Sequence, residues 1–143
     1  MGSKILYYLI LLPISRLPYF LLYLVSDFIF LILYRIIGYR KKVVFNNLKN
    51  SFPEKNNEEL MTIMHKFYHH LCDVILESIK GFTVSEKQLK KRLVIRNPEV
   101  VNNFHAKNQG VILVGGHINN WEICAQAVPF YSLHQCVGIY KPL

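Results

Sequence analysis

The sequence predicts an α/β fold: an N-terminal membrane helix, further helices, and then the first strands of a partly parallel sheet that the chain leaves incomplete. Three observations predict it. Residues 111–114 form an apolar, β-branched run bounded by Gly110 and Gly115, as expected of a strand covered on both faces. Residues 58–80 repeat apolar side chains at helical spacing. Residues 5–37 are almost entirely Leu, Ile, Tyr, Phe and Val, and the basic run Arg40-Lys41-Lys42 follows directly.

Composition supports the membrane element independently. Of 143 residues 52% are apolar, yet the formal charge is +8, so apolar and basic residues must be segregated along the chain. Residues 17–37 would reach roughly 30 Å as a helix, enough to cross or deeply enter a bilayer. Asp27 in the middle of that stretch is costly there and is expected to face protein or the interface. The apolar region is too long for a signal peptide and no small-residue cleavage site follows it, so the anchor is expected to stay. Basic residues after the stretch favour a cytoplasmic C-terminal side. A re-entrant or interfacial anchor is the alternative, with Tyr7, Tyr8, Tyr19, Tyr23, Tyr34 and Tyr39 suited to an aromatic belt.

The middle of the chain is soluble in character. Residues 46–57, rich in Asn, Lys and Pro, read as a helix end and turn. In the helix that follows, Leu60, Met64, Phe67, Leu71, Val74, Ile75 and Ile79 form the expected core face. His65, His69, Asp73 and Glu77 recur every four residues on another side. His65 and His69 have the spacing of two metal ligands, but no HExxH motif or cysteine pair accompanies them; the row reads as a solvated polar face and no metal is expected. Lys87, Lys90, Lys91, Arg92 and Arg96 make a basic cluster, either an ordinary solvated face or a contact for anionic headgroups, lipid phosphate or an acidic carrier. No nucleic-acid motif is present, and nucleic acid is not an expected partner. Asn97-Pro98-Glu99 predicts a short helix capped by Asn97, running to about Ala106 and ended by Asn108-Gln109-Gly110.

The chemistry is expected where the 111–114 strand runs into Gly115-Gly116-His117, with Glu122 five positions on. Residues five apart on a straight helix point about 140° away from each other, so His117 and Glu122 meet only if a helix starts between them. Asn119 or Asn120 can cap such a helix. An imidazole oriented by a carboxylate is a general-base arrangement. Asn119-x-x-Glu122 is equally a capping box that needs no catalysis, and both readings stay open. The adjacent glycines admit close approach of backbone or ligand. With residues 136–140 as a second strand and 93–95 as a third, the sheet has too few neighbours to cover its faces.

Cys72, Cys124 and Cys136 are odd in number, widely spaced and set in apolar segments, as expected of reduced core residues. The chain has neither a Gly-x-Ser-x-Gly elbow nor a phosphate-binding loop, which disfavours a covalent serine mechanism and nucleotide hydrolysis.

Gly116-His117 followed by Asn120-Trp121-Glu122 resembles the signature of the lipid A biosynthesis acyltransferases, the late or secondary acyltransferases of the lysophospholipid acyltransferase-like superfamily. Asn47-Leu48 with Phe52-Pro53-Glu54 is similar to that family's "NL…FPE" segment, and Glu77 falls where it often carries a glutamate. Asn119 departs from the pattern, standing where the family commonly has Gly. The resemblance implies transfer of a fatty acyl group from an acyl carrier protein or coenzyme A thioester to a hydroxyl of a lipid A precursor or similar lipid, without a cofactor, at the cytoplasmic face of a bacterial inner membrane. It implies His117 as base and Glu122 as its orienting partner, with Gly115, Gly116, Asn120 and Trp121 around the substrate. An aminolipid or glycerophospholipid acceptor, or a non-catalytic membrane-anchored binding protein, remain alternatives. The implied organisation is an anchor over residues 1–42 and the N-terminal part of an acyltransferase domain over 43–143.

Overall fold

A computed structural model describes residues 2–139. They form helices joined by turns and extended segments, in two compact units, Met1–Lys80 and Gly81–Leu143. The expected anchor thus shares one unit with the two helices that follow it.

In the first unit, α1 (Gly2–Leu6) passes through π-helical Tyr7–Leu11 into α2 (Leu12–Arg16). Leu17 and Pro18 leave the helical region, as the residue before a proline tends to, and α3 (Tyr19–Phe30) then starts at a corner. It widens into π-helical turns over Leu31–Ile37 and stops at Gly38, whose φ of 64° is the left-handed conformation favoured at a helix end. By length and composition Tyr19–Ile37 is able to cross a membrane. After α4 (Lys41–Ser51), α5 (Asn57–Lys80) begins with a reciprocal cap. The Glu59 N–H donates to Asn56 Oδ1 and the Asn56 N–H to Glu59 Oε2, both at 3.0 Å.

α5 is the organising element. Its buried row is Leu60, Met64, Tyr68, Cys72, Leu76 and Lys80, spaced by four rather than 3.6, so the seam winds slowly around the helix. Leu60 and Met64 are where periodicity places them, but Phe67 and Ile75 are exposed and Tyr68, Cys72 and Leu76 occupy the core. α3 and α4 both pack on α5 and between them decide which stripe is covered. Tyr34, Met64 and Tyr68 form a cluster against which Val44, Phe45 and Leu48 of α4 pack.

In the second unit, α6 (Glu86–Arg92) opens with a capping box between Ser85 and Gln88 and buries Leu89. α7 (Glu99–His105) is capped at Pro98, without a side-chain bond from Asn97. It ends where Asn108 turns left-handed at φ 54°. The amide of Asn102 donates to the Tyr131 carbonyl at 3.0 Å and accepts from the Leu133 N–H at 2.8 Å, tying α7 to the segment after α8 (Trp121–Ala127) and the 3-10 turn Val128–Phe130.

The expected α/β class is corrected here: among the described residues there is no strand. Residues 93–95, 109–118 and 135–139 are extended or irregular and unpaired in any ladder, and Tyr140 lies outside the described residues. Ile112 and Val114 are about nine-tenths exposed. A β-branched run specifies a side-chain pattern, but a strand exists only when its N–H and C=O groups meet a neighbour's. None of these three short segments supplies that edge to another, so no ladder forms among the described residues.

Candidate functional site

His117 is carried on the exposed extended segment just before α8. Two asparagines make the corner. Asn119 adopts φ 56°, one of three non-glycine residues in the left-handed region among the described residues; asparagine reaches that conformation at lower cost than other side chains. Asn120 is the helix cap, its Oδ1 accepting from the Ile123 N–H at 3.3 Å. Trp121 is therefore the first helical residue and Glu122 the second.

That placement separates the two readings of Glu122. A capping box needs the acidic residue at the third helical position, which Ile123 holds, so Glu122 is not part of a cap with Asn119. Glu122 is half-buried in the first turn of α8. The His117 ring stands edge-on to Trp121, with centroids 4.6 Å apart and planes at 68°. Among the described residues no hydrogen bond or ion pair joins His117 to Glu122; the structure brings His117 to Trp121 instead. A Cβ on Gly115 would meet nothing within 4 Å, and one on Gly116 would touch only Ile118, at 3.5 Å. Neither glycine has a positive φ, so the pair is not required by backbone conformation.

The polar row of α5 is not a solvated face. Ser26 Oγ donates to Asp73 Oδ1 at 2.7 Å, His69 lies 2.8 Å from Asp27 and 3.4 Å from Asp73, and Tyr23 Oη donates to Glu77 Oε1 at 2.5 Å. His69 thus has a carboxylate oxygen near each ring nitrogen. The Lys80 ammonium is buried and donates to the carbonyls of Ser15 at 2.7 Å and Leu17 at 2.9 Å, capping the corner between α2 and α3. Burial lowers its pKa from the ordinary ammonium value. Asp27 was expected to face protein or the membrane interface, and its partner His69 was not foreseen; a lone acid in an apolar helix and a His-x3-Asp pair in a later one were the available signal.

Of the cysteines, Cys72 is buried and its thiol pKa is raised, first by burial and then by Asp73. Cys124 and Cys136 are exposed, contrary to the core placement expected of them. Lys90 pairs with Glu86 at 2.6 Å and lies 5.9 Å from the rings of Phe130 and Tyr131. Lys87, Lys91 and Arg92 point to the exposed side of the same helix.

The described residues join an N-terminal helix long and apolar enough to cross a membrane to a chain that also carries a histidine corner ahead of a short helix. The chain belongs to the bacterial lipid A biosynthesis acyltransferase family, whose model matches residues 2–143. It is similar to the lipid A biosynthesis lauroyltransferase of Escherichia coli (strain K12), with 23% identity over 129 residues, covering 90% of this chain and 42% of that protein. The chain therefore spans less than half the length of that curated relative. No solved structure matches it significantly.

Proposed function

We propose that the protein is a membrane-associated O-acyltransferase that moves a fatty acyl group from an acyl thioester to a hydroxyl of a lipid A precursor, with this chain supplying the catalytic histidine. Family membership across residues 2–143 carries the reading. His117 acts as general base on the acceptor hydroxyl as it attacks the thioester carbonyl; the thiol leaves and the proton passes through the imidazole to it. Glu122 orients the ring and stabilises its charged form. Support comes from the position of Glu122, outside the helix cap and in the first turn beyond His117. The open space beside Gly115 suits a donor approaching the ring. Trp121 positions the imidazole by its edge contact. The donor is an acyl carrier protein or coenzyme A thioester, and a lauroyl group, named in the relative, is the first to assay.

The apolar N-terminal helix supports association with a membrane, and the basic residues after it favour the cytoplasmic face of the inner membrane. In the complete protein, supplied with labelled acyl thioester and lipid A precursor, His117→Ala is expected to lower turnover by about 10²–10⁴-fold with membrane sedimentation unchanged. Undiminished turnover overturns the assignment. Mass spectrometry of lipids from cells lacking the gene identifies the acceptor.

A further inference from the structure

The helix long enough to cross a bilayer is fastened along its length to one that cannot. From Ser15 to Tyr34 on one side and from Lys80 back to His65 on the other, the contacts run in antiparallel order. The Lys80 ammonium meets the Ser15 and Leu17 carbonyls, Tyr23 meets Glu77, Ser26 meets Asp73, Asp27 meets His69, and the rings of Phe30 and Tyr34 pack on His65. If Tyr19–Ile37 crossed a membrane with these contacts intact, the same length of α5 would enter the hydrocarbon. That length includes Lys66, His70, Asp73, Glu77 and Lys80, with Lys66 and His70 exposed. Exposed ionisable groups at that depth are strongly disfavoured.

The face of α3 turned from α5 has the opposite character. Phe20, Leu24, Phe28 and Leu31, spaced by four, four and three, share one side of the helix and are each at least half exposed. Exposed basic residues bracket the stripe in sequence, Arg16 before it and Arg35, Arg40 and Lys42 after it. An apolar stripe with cationic flanks matches the surface of an anionic bilayer.

We infer that Tyr19–Ile37 is a one-leaflet anchor that lies along the membrane surface, not across it, held there by its polar ladder to α5 and inserting the Phe20–Leu24–Phe28–Leu31 stripe among the acyl chains. This rests on the membrane association proposed above and specifies its geometry. The anchor then keeps the whole first unit on the side of the membrane where α5 is solvated.

The test uses the complete protein in vesicles of phosphatidylethanolamine and phosphatidylglycerol, with Phe20→Trp and Phe28→Trp variants read by quenching from lipids brominated at different depths. An in-plane helix puts both tryptophans at the same shallow depth. A crossing helix separates them by about 12 Å, eight residues at 1.5 Å each, and that result overturns the inference while leaving membrane association standing. Flotation with vesicles but no quenching at either position also overturns it, as when a second copy covers the stripe. Failure to float at all defeats the membrane reading itself, and the inference with it. Independently, an N-terminal protease-sensitive tag is expected to be cut only from the side that exposes the C-terminal tag; cutting from the opposite side overturns the one-leaflet geometry.

Discussion

His69 Nε2 lies 2.8 Å from Asp27 Oδ1, joining an acid in the middle of the apolar helix to an imidazole 42 positions later. The same ring faces Asp73 through its other nitrogen at 3.4 Å. Asp73 in turn accepts from the buried hydroxyl of Ser26.

The two carboxylates are expected to differ in weight. The Asp27 and His69 side chains are 57% and 46% exposed, so Asp27→Ala is expected to cost about 0.2–1 kcal/mol of stability. Asp73→Ala strands a buried hydroxyl as well and is expected to cost about 1–3 kcal/mol. Thermal unfolding in detergent, followed by circular dichroism, ranks them; equal losses would remove Ser26 from the account.

Lys80 gives a pH signature. Its pKa in the folded chain is below 10.5, so between the two values the unfolded chain holds more protons, and this group's contribution rises with pH. It falls away as pH drops through the folded pKa. Cys72 and Tyr68 act oppositely, since burial raises both above 9.0 and 10.0 and stability is lost above those values. Lys80→Met is therefore expected to show a steeper loss of stability than the parent as pH rises through the alkaline range, in urea titrations at fixed pH steps. It should also be less stable at neutral pH by about 1–3 kcal/mol, because two carbonyls lose their donor.

Thiol labelling should split the cysteines two to one within this chain. Cys124 and Cys136 are exposed and are expected to react with a maleimide at native conditions, whereas Cys72 waits for unfolding. Peptide mass spectrometry after timed labelling reads the order, and early modification of Cys72 would contradict the packing of α5.

At the corner before α8, Asn119→Val should destabilise by about 1–2 kcal/mol, because a β-branched residue resists the left-handed region, whereas Asn119→Gly should fold normally. Asn120→Ala removes the cap and is expected to cost about 0.5–2 kcal/mol. Calorimetry gives the stabilities. Turnover of the complete protein should fall in the two destabilised variants if the corner presents His117 as proposed.

Local chemistry was readable in the sequence where one residue decides it. The limits of α5, the end of α7 at 108–110 and a cap for α8 at Asn119 or Asn120 all rest on local signals, and the structure then chose Asn120. The sheet was misread because residues 111–114 carry a strand's pattern without a strand's neighbour. The core stripe of α5 was misplaced at Phe67 and Ile75 because two packing helices, not the period alone, choose the buried side. The ladder from Tyr23, Ser26 and Asp27 to Glu77, Asp73 and His69 joins residues far apart in the chain, and neither partner announces the other locally. In the site, His117 and Glu122 could be nominated from spacing, but the edge-on contact of His117 with Trp121 depends on ring orientation.

Asn119 also acts before folding. A glycine at that corner would reach φ 56° without strain but would leave the denatured chain a wider choice of conformations to surrender. With asparagine there, the loop that carries the imidazole forfeits less entropy on ordering and accepts a little steric tension instead, so the corner is biased toward one shape ahead of any ligand.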